Sequence, residues 1–217
     1  MSPFTEQNTV EDYIVRKLTE SGWKFIPAGE LERDTYEEPL LERTLLRAIE
    51  RINAGLDLEE EEIRKAANEL KLAGTGIEGS KRVLRYFKEG VPVKIESKRE
   101  VRYLDLFDYE NIKNNECTVS RQVIYHGKEK IRTDVMLYVN GIPLVNIECK
   151  NPAALSENWY NAYRQIKDYE KNIPELYKYV QIGVAAEQEV RFFPVVAWQD
   201  DVRVDEWKQN GGDPVDS

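Results

Sequence analysis

The chain is almost without histidine. His126 is the single one in 217 residues, so neither a histidine-based nucleophilic triad nor a His-rich metal centre has the residues it needs. Cysteine is nearly as scarce. Cys117 and Cys149 stand far apart in strand-like runs, where they read as small buried residues of a reducing compartment and not as a disulfide framework. No apolar run approaches membrane length, and residues 1–9 are polar, without the apolar core of a secretory signal. A cytoplasmic protein is expected. Positive charge is in deficit, with 31 Lys and Arg against 40 Asp and Glu, a formal net charge of −9. Phosphate affinity comes from Lys and Arg, so a free-standing nucleic-acid binder is disfavoured, and any DNA chemistry would need grip from elsewhere. A G-x-x-x-x-G-K-[ST] phosphate loop is missing too, because the glycine cluster at 74–81 fails the spacing.

What is present is 41% hydrophobic and 33% charged residues, enough for one substantial core with a helical elaboration. Residues 131–139 and 143–149 are apolar runs separated by Asn140-Gly141, the strongest short hairpin signal. Folding there brings Asp134 opposite Ile147 or Glu148, depending on the turn register. Glu148 and Lys150 lie two apart and share one strand face. Two carboxylates and an ammonium converge at one end of a small sheet. Carboxylate oxygens suit hard cations such as Mg²⁺, and a neighbouring lysine can orient water or offset charge on a phosphate. The plainer reading makes Asp134 and Lys150 solvated strand residues, with Glu148 paired to Lys150. Against it, the Glu-Cys-Lys triplet ends a nearly continuous apolar run, where charge is costly without a task.

Along the chain, a Thr9-x-x-Asp12 pattern announces a first helix that ends at Gly22. Residues 23–26 read as a short strand, 38–54 and 57–72 as amphipathic helices, 74–79 as a loop and 82–88 as a short helix. The Glu59-Glu60-Glu61-Glu62 run reads as a solvated helix start suited to the helix dipole. From Val91 the period becomes two, with strands over 91–95, 101–107, 117–125, 131–139 and 143–149. A helix over 157–170 and strands over 179–185 and 190–196 follow. Beyond Trp198 the chain turns polar and reads as a linker or tail. The order predicts an α/β core, a sheet flanked by helices. Trp159, Tyr160 and Tyr163 read as core more than as base-stacking residues, and His126 as a turn residue. Lys128, Lys130 and Arg132 read equally as a solvated face or as phosphate contacts.

These residues resemble a family. Val10-Glu11-Asp12, Gly22-Trp23, Phe87-Lys88-Glu89-Gly90-Val91, Leu104-Asp105-Leu106-Phe107, the long stretch 133–152 and Gln165-Ile166-Lys167-Asp168-Tyr169 are similar to the N-terminal nuclease domain of the restriction subunit of type I restriction–modification enzymes. That domain is a branch of the PD-(D/E)xK nuclease superfamily. The resemblance implies a PD-(D/E)xK core over 1–197, with a mixed sheet flanked by helices and a helical elaboration at about 37–90. Residues 198–217 would be a linker toward motor domains. It implies that Asp134 and Glu148 hold a catalytic Mg²⁺, that Lys150 is the catalytic lysine, and that Gln165 and Tyr169 (the QxxxY motif) brace the site or touch DNA. Glu11 matches an acidic position of the first helix, with Glu6 and Asp12 as competitors. Thr133 stands where the superfamily name has proline. The implied activity is Mg²⁺-dependent cleavage of double-stranded DNA after ATP-driven translocation. ATP would be needed only by the motor domains, and the partners would be methyltransferase and specificity subunits. A RecB-like repair nuclease and an inactive docking module remain alternatives.

Overall fold

The computed structural model describes residues 6–150, 158–187, 189–196 and 198–208. Helix α1 (Glu6–Glu20) leads into β1 (Lys24–Phe25). A mostly helical segment follows: α2 (Glu42–Ile52), α3 (Glu60–Lys71), α4 (Gly76–Glu89), then a ribbon of β2 (Val91–Ile95) and β3 (Glu100–Leu104). The strands β4 (Cys117–His126), β5 (Lys130–Val139) and β6 (Ile142–Cys149) run as an antiparallel meander. Helices α5 (Trp159–Asn172) and α6 (Pro174–Tyr177) connect it to β7 (Ile182–Ala186), β8 (Val190–Pro194) and β9 (Asp205–Glu206). The seven-stranded sheet has the order β1-β4-β5-β6-β7-β8-β9. It is mixed, because β1 runs parallel to β4 and β7 parallel to β6. The β6-to-β7 return needs a crossover, and α5 supplies it.

Helices cover both faces of this sheet. Alternation along β5 sends Val135 and Leu137 toward α1, where Val10, Ile14, Val15 and Leu18 pack. Met136 and Tyr138 go the other way, toward Ala162, Tyr163 and Ile166 of α5. A separate core of Leu45, Ile49, Ile63, Leu70, Val83, Phe87, Val93 and Leu104 fills the helical segment and the ribbon, and Ile142 and Tyr179 tie it to the sheet. The β5–β6 turn has φ values of 52° at Asn140 and 79° at Gly141, the paired left-handed residues of a tight hairpin. The turn also holds the helical segment in place. Leu41 N–H donates to the Gly141 carbonyl at 2.8 Å, and the Asn140 amide donates to the Leu106 carbonyl and to Asn115 Oδ1, each at 2.8 Å.

Several elements differ from the sequence reading. α1 starts before Thr9, since Glu6 and Gln7 are good helix formers. α2 starts at Glu42 and not at residue 38, because Pro39 disfavours helical backbone at the residue before it. The expected loop at 74–79 is mostly the start of α4. Gly79 lies so close to Gly74 that a Cβ there would sit 2.3 Å from the Gly74 carbonyl oxygen. The glycines serve close approach, not a loop. β2 and β3 form their own two-stranded sheet instead of joining the meander. β9 lies within the polar run past Trp198 and pairs with β8. The expected helix start at residue 157 and the polar residues 209–217 lie outside the described residues.

Candidate functional site

The β5–β6 register pairs Val135 with Ile147, so Asp134 falls opposite Glu148, one of the two registers the hairpin allowed. Here side chains take over from the backbone ladder. Asp134 N–H donates to Glu148 Oε1 at 3.3 Å, and Cys149 N–H donates to Asp134 Oδ2 at 2.8 Å. Both carboxylates are buried, with Glu148 at 0% and Asp134 at 5% exposure. Burial penalises their charged forms and pushes both carboxyls above the ordinary range. At Glu148 the shift is large, and the Asp134 charge adds to it.

Helix α5 approaches from the same face. Its Asn158 cap accepts from the Tyr160 and Asn161 N–H groups, which fixes where the helix begins. Nearly two turns in, Gln165 uses both ends of its amide. Oε1 accepts from Lys150 Nζ at 2.6 Å, while Nε2 donates to Glu148 Oε2 at 2.9 Å and to the Tyr169 hydroxyl at 2.6 Å. Tyr169 in turn donates to the Arg132 carbonyl at 3.1 Å. Burial and the Glu148 charge push its hydroxyl up to about 12, so it remains a donor at neutral pH. Glu11 enters from α1. It is 2% exposed and receives two hydrogen bonds from the Gln122 amide, at 2.8 and 2.7 Å. Burial raises its carboxyl, and Asp134 is near enough for its charge to add to the shift. Of the competing acids, Asp12 pairs with Arg121 at the surface, and the side chain of Glu6 falls outside the described residues.

The structure therefore brings Asp134, Glu148, Lys150, Gln165 and Tyr169 into one connected network, with Glu11 beside it. A groove of about 790 Å³ opens against Asp134, Gln165 and Tyr169. Its charged lining is otherwise Glu129, Lys130, Arg132, Arg164 and Asp168. Among the described residues, no three His, Cys, Asp or Glu side chains gather closely enough to enclose a metal ion. The donor set is nonetheless all oxygen and holds two carboxylates. That suits Mg²⁺, which keeps several waters and takes one or two carboxylates together with substrate phosphates. Trp159 and Tyr163 pack in the core, whereas Tyr160 is exposed. The sequence reading missed Gln122 and Arg164. Arg164 adjoins Gln165, so its place beside the motif was available as a signal. Gln122 had none, because its position depends on a local backbone conformation.

The sequence matches the family described as the type I restriction enzyme R protein N terminus across residues 3–201. It is 28% identical over 190 residues to the putative type I restriction enzyme MjaVIIIP endonuclease subunit of Methanocaldococcus jannaschii, covering 85% of this chain and 18% of that relative. It is 24% identical over 187 residues to the type I restriction enzyme HindI endonuclease subunit of Haemophilus influenzae, covering 81% and 18%. A Staphylococcus aureus relative, the type I restriction enzyme SauMSSORF170P endonuclease subunit, is 33% identical over 122 residues, covering 55% and 12%. The chain thus spans less than a fifth of the length of these curated relatives. No helix among the described residues is long and apolar enough to cross a membrane. The matched span takes in every element of the sheet from β1 to β8, and the chain belongs to the family of type I restriction enzyme R protein N termini.

Proposed function

We propose that this chain is a PD-(D/E)xK-type, Mg²⁺-dependent endonuclease module that hydrolyses phosphodiester bonds of double-stranded DNA. The observation that carries the reading is the double engagement of Gln165, which holds the Lys150 ammonium and the Glu148 carboxylate together. Asp134 and Glu148 would hold the ion. When bound, Mg²⁺ would supply positive charge against the scissile phosphate and lower the pKa of a nearby water. Lys150 orients the attacking water or offsets charge that develops on the phosphate oxygens. Gln165 fixes the lysine against the metal carboxylate, and Tyr169 anchors Gln165 to β5 through the Arg132 carbonyl. The groove beside Asp134 is the path for the DNA backbone, and Arg132 and Arg164 meet its phosphates.

The relatives are more than five times longer than the shared segment. We assign ATP-driven translocation to motor segments of such a longer subunit, and site recognition to methyltransferase and specificity subunits in the same complex. The test is cleavage by the assembled complex. Asp134→Ala, Glu148→Ala and Lys150→Ala should each lower DNA cutting by about a hundredfold or more, with circular dichroism and melting showing an intact fold. Lys150→Ala should leave ATP hydrolysis unchanged, since the lysine acts on water or phosphate and not on the nucleotide. Normal cutting by a folded Asp134 variant would end this reading.

A further inference from the structure

β4 changes faces in mid-strand, next to the site. Val119 packs in the core beneath α1, and Arg121 reaches Asp12 on α1. Strict alternation would send the next residue, Gln122, toward α5. It goes to α1 instead, where its amide grips Glu11. Two consecutive side chains, Arg121 and Gln122, therefore face the same helix. Beyond them, Val123 and Tyr125 pack in the core on the α5 side. The cause is local. Gln122 has a φ of 56°, a left-handed conformation unfavourable for any residue with a β-carbon. The β4–β5 pairing passes from Arg121–Val135 to Val123–Thr133, so the interruption falls opposite Asp134. Non-glycine residues in such conformations persist where the surrounding structure enforces them, and they cluster at working sites.

The chemistry of the grip is equally specific. The Gln122 amide nitrogen donates to both oxygens of Glu11, and among the described residues it is the only hydrogen-bond donor to that carboxylate. An arginine there would cancel the negative charge. A neutral amide orients the carboxylate without supplying a counter-charge. We propose that Gln122 is a positioning residue, whose left-handed backbone fixes the Glu11 carboxylate next to Asp134, so that α1 contributes to divalent-cation binding at the site through the waters the ion retains. The inference rests on the nuclease reading above.

The experiment is a titration of the 217-residue chain with Mn²⁺, a paramagnetic substitute for Mg²⁺, followed by electron paramagnetic resonance. Gln122→Gly keeps the left-handed backbone accessible and deletes the amide. It should weaken Mn²⁺ binding on the order of tenfold, the range expected for a residue that orients a ligand. Glu11→Gln should weaken it to a similar degree, and the double variant should lose no more than either single one. If Gln122→Gly does not fold, Gln122→Asn serves in its place, because asparagine tolerates the same backbone and its amide falls one methylene short. Unchanged Mn²⁺ affinity in the folded variant would overturn the proposal. So would additive losses in the double variant, which would mean that Gln122 does not act through Glu11. Asp134→Ala separates the two levels. If it leaves Mn²⁺ binding intact, the metal reading itself fails. If it abolishes binding while Gln122→Gly has no effect, only the role of Gln122 fails.

Discussion

A carboxylate buried at a strand end opposes folding, and Asp134 carries part of that cost. Its carboxyl titrates above the ordinary aspartate range, chiefly because burial disfavours the ionised form. The folded protein therefore holds this proton more tightly than the unfolded chain does. The associated stability is fully present below the ordinary aspartate pKa of about 3.9, and it is lost as pH rises through the elevated folded value. Asp134→Asn keeps the shape and an oxygen to accept from Cys149 N–H, while removing the ionisation. With a chelator present, this variant should melt several degrees above the unsubstituted chain at neutral pH, and the gap should close as pH falls toward 4. A gap independent of pH would show that Asp134 does not titrate in this way. The same substitution should abolish cutting, the exchange of stability for function expected of a strained site. At this scale the sequence was readable where chemistry and spacing coincide. Asp134, Glu148 and Lys150 were identifiable as candidates from the hairpin signal and the period of two, whereas Gln165 and Tyr169 were candidates only through the family resemblance, with which their helical spacing of four agrees. Gln122 was not, because a left-handed glutamine has no compositional mark.

The hairpin of β5 and β6 is the element on which the site depends, and its turn does two things. It sets the register that faces Asp134 with Glu148, and it docks the start of α2. At Gly141, an added Cβ would come within 2.5 Å of the Leu41 carbonyl oxygen and 2.9 Å of Leu45 N. The residue also needs a positive φ. Gly141→Ala should therefore destabilise the chain by about 1–3 kcal/mol, the usual range for overpacking, as read from the urea midpoint. The effect belongs to the turn and not to the chemistry, so protein that remains folded should bind Mn²⁺ normally. Asn-Gly made this hairpin legible in the sequence. The start of α4 was hidden because a glycine used for close contact looks the same as a glycine in a loop. The separation of the β2–β3 ribbon from the main sheet was hidden for another reason. Alternation reports that a strand has one buried face, but not which partner covers it.

Over the whole molecule, the net charge of −9 predicts weak binding of the isolated chain to duplex DNA, since few counterions can be released. The binding that remains should run through the groove. Arg132→Ala and Arg164→Ala should each lower the slope of log affinity against log salt by about 1, measured by fluorescence anisotropy. Tight binding by the chain alone at physiological salt would point to a different surface. The site is also assembled from widely separated parts of the chain. The contact between Glu11 and Gln122 spans 111 positions, and Gln165 and Tyr169 come later still. Long-range closures of this kind form slowly, because chain entropy is lost before the contacts repay it. On the ribosome, α1 emerges first and waits for β4, β5 and β6, while the glutamine that joins lysine to carboxylate arrives only with α5. The candidate site therefore stays unassembled until α5 has been made, and the residues of α1 and β4 to β6 wait for it in the growing chain.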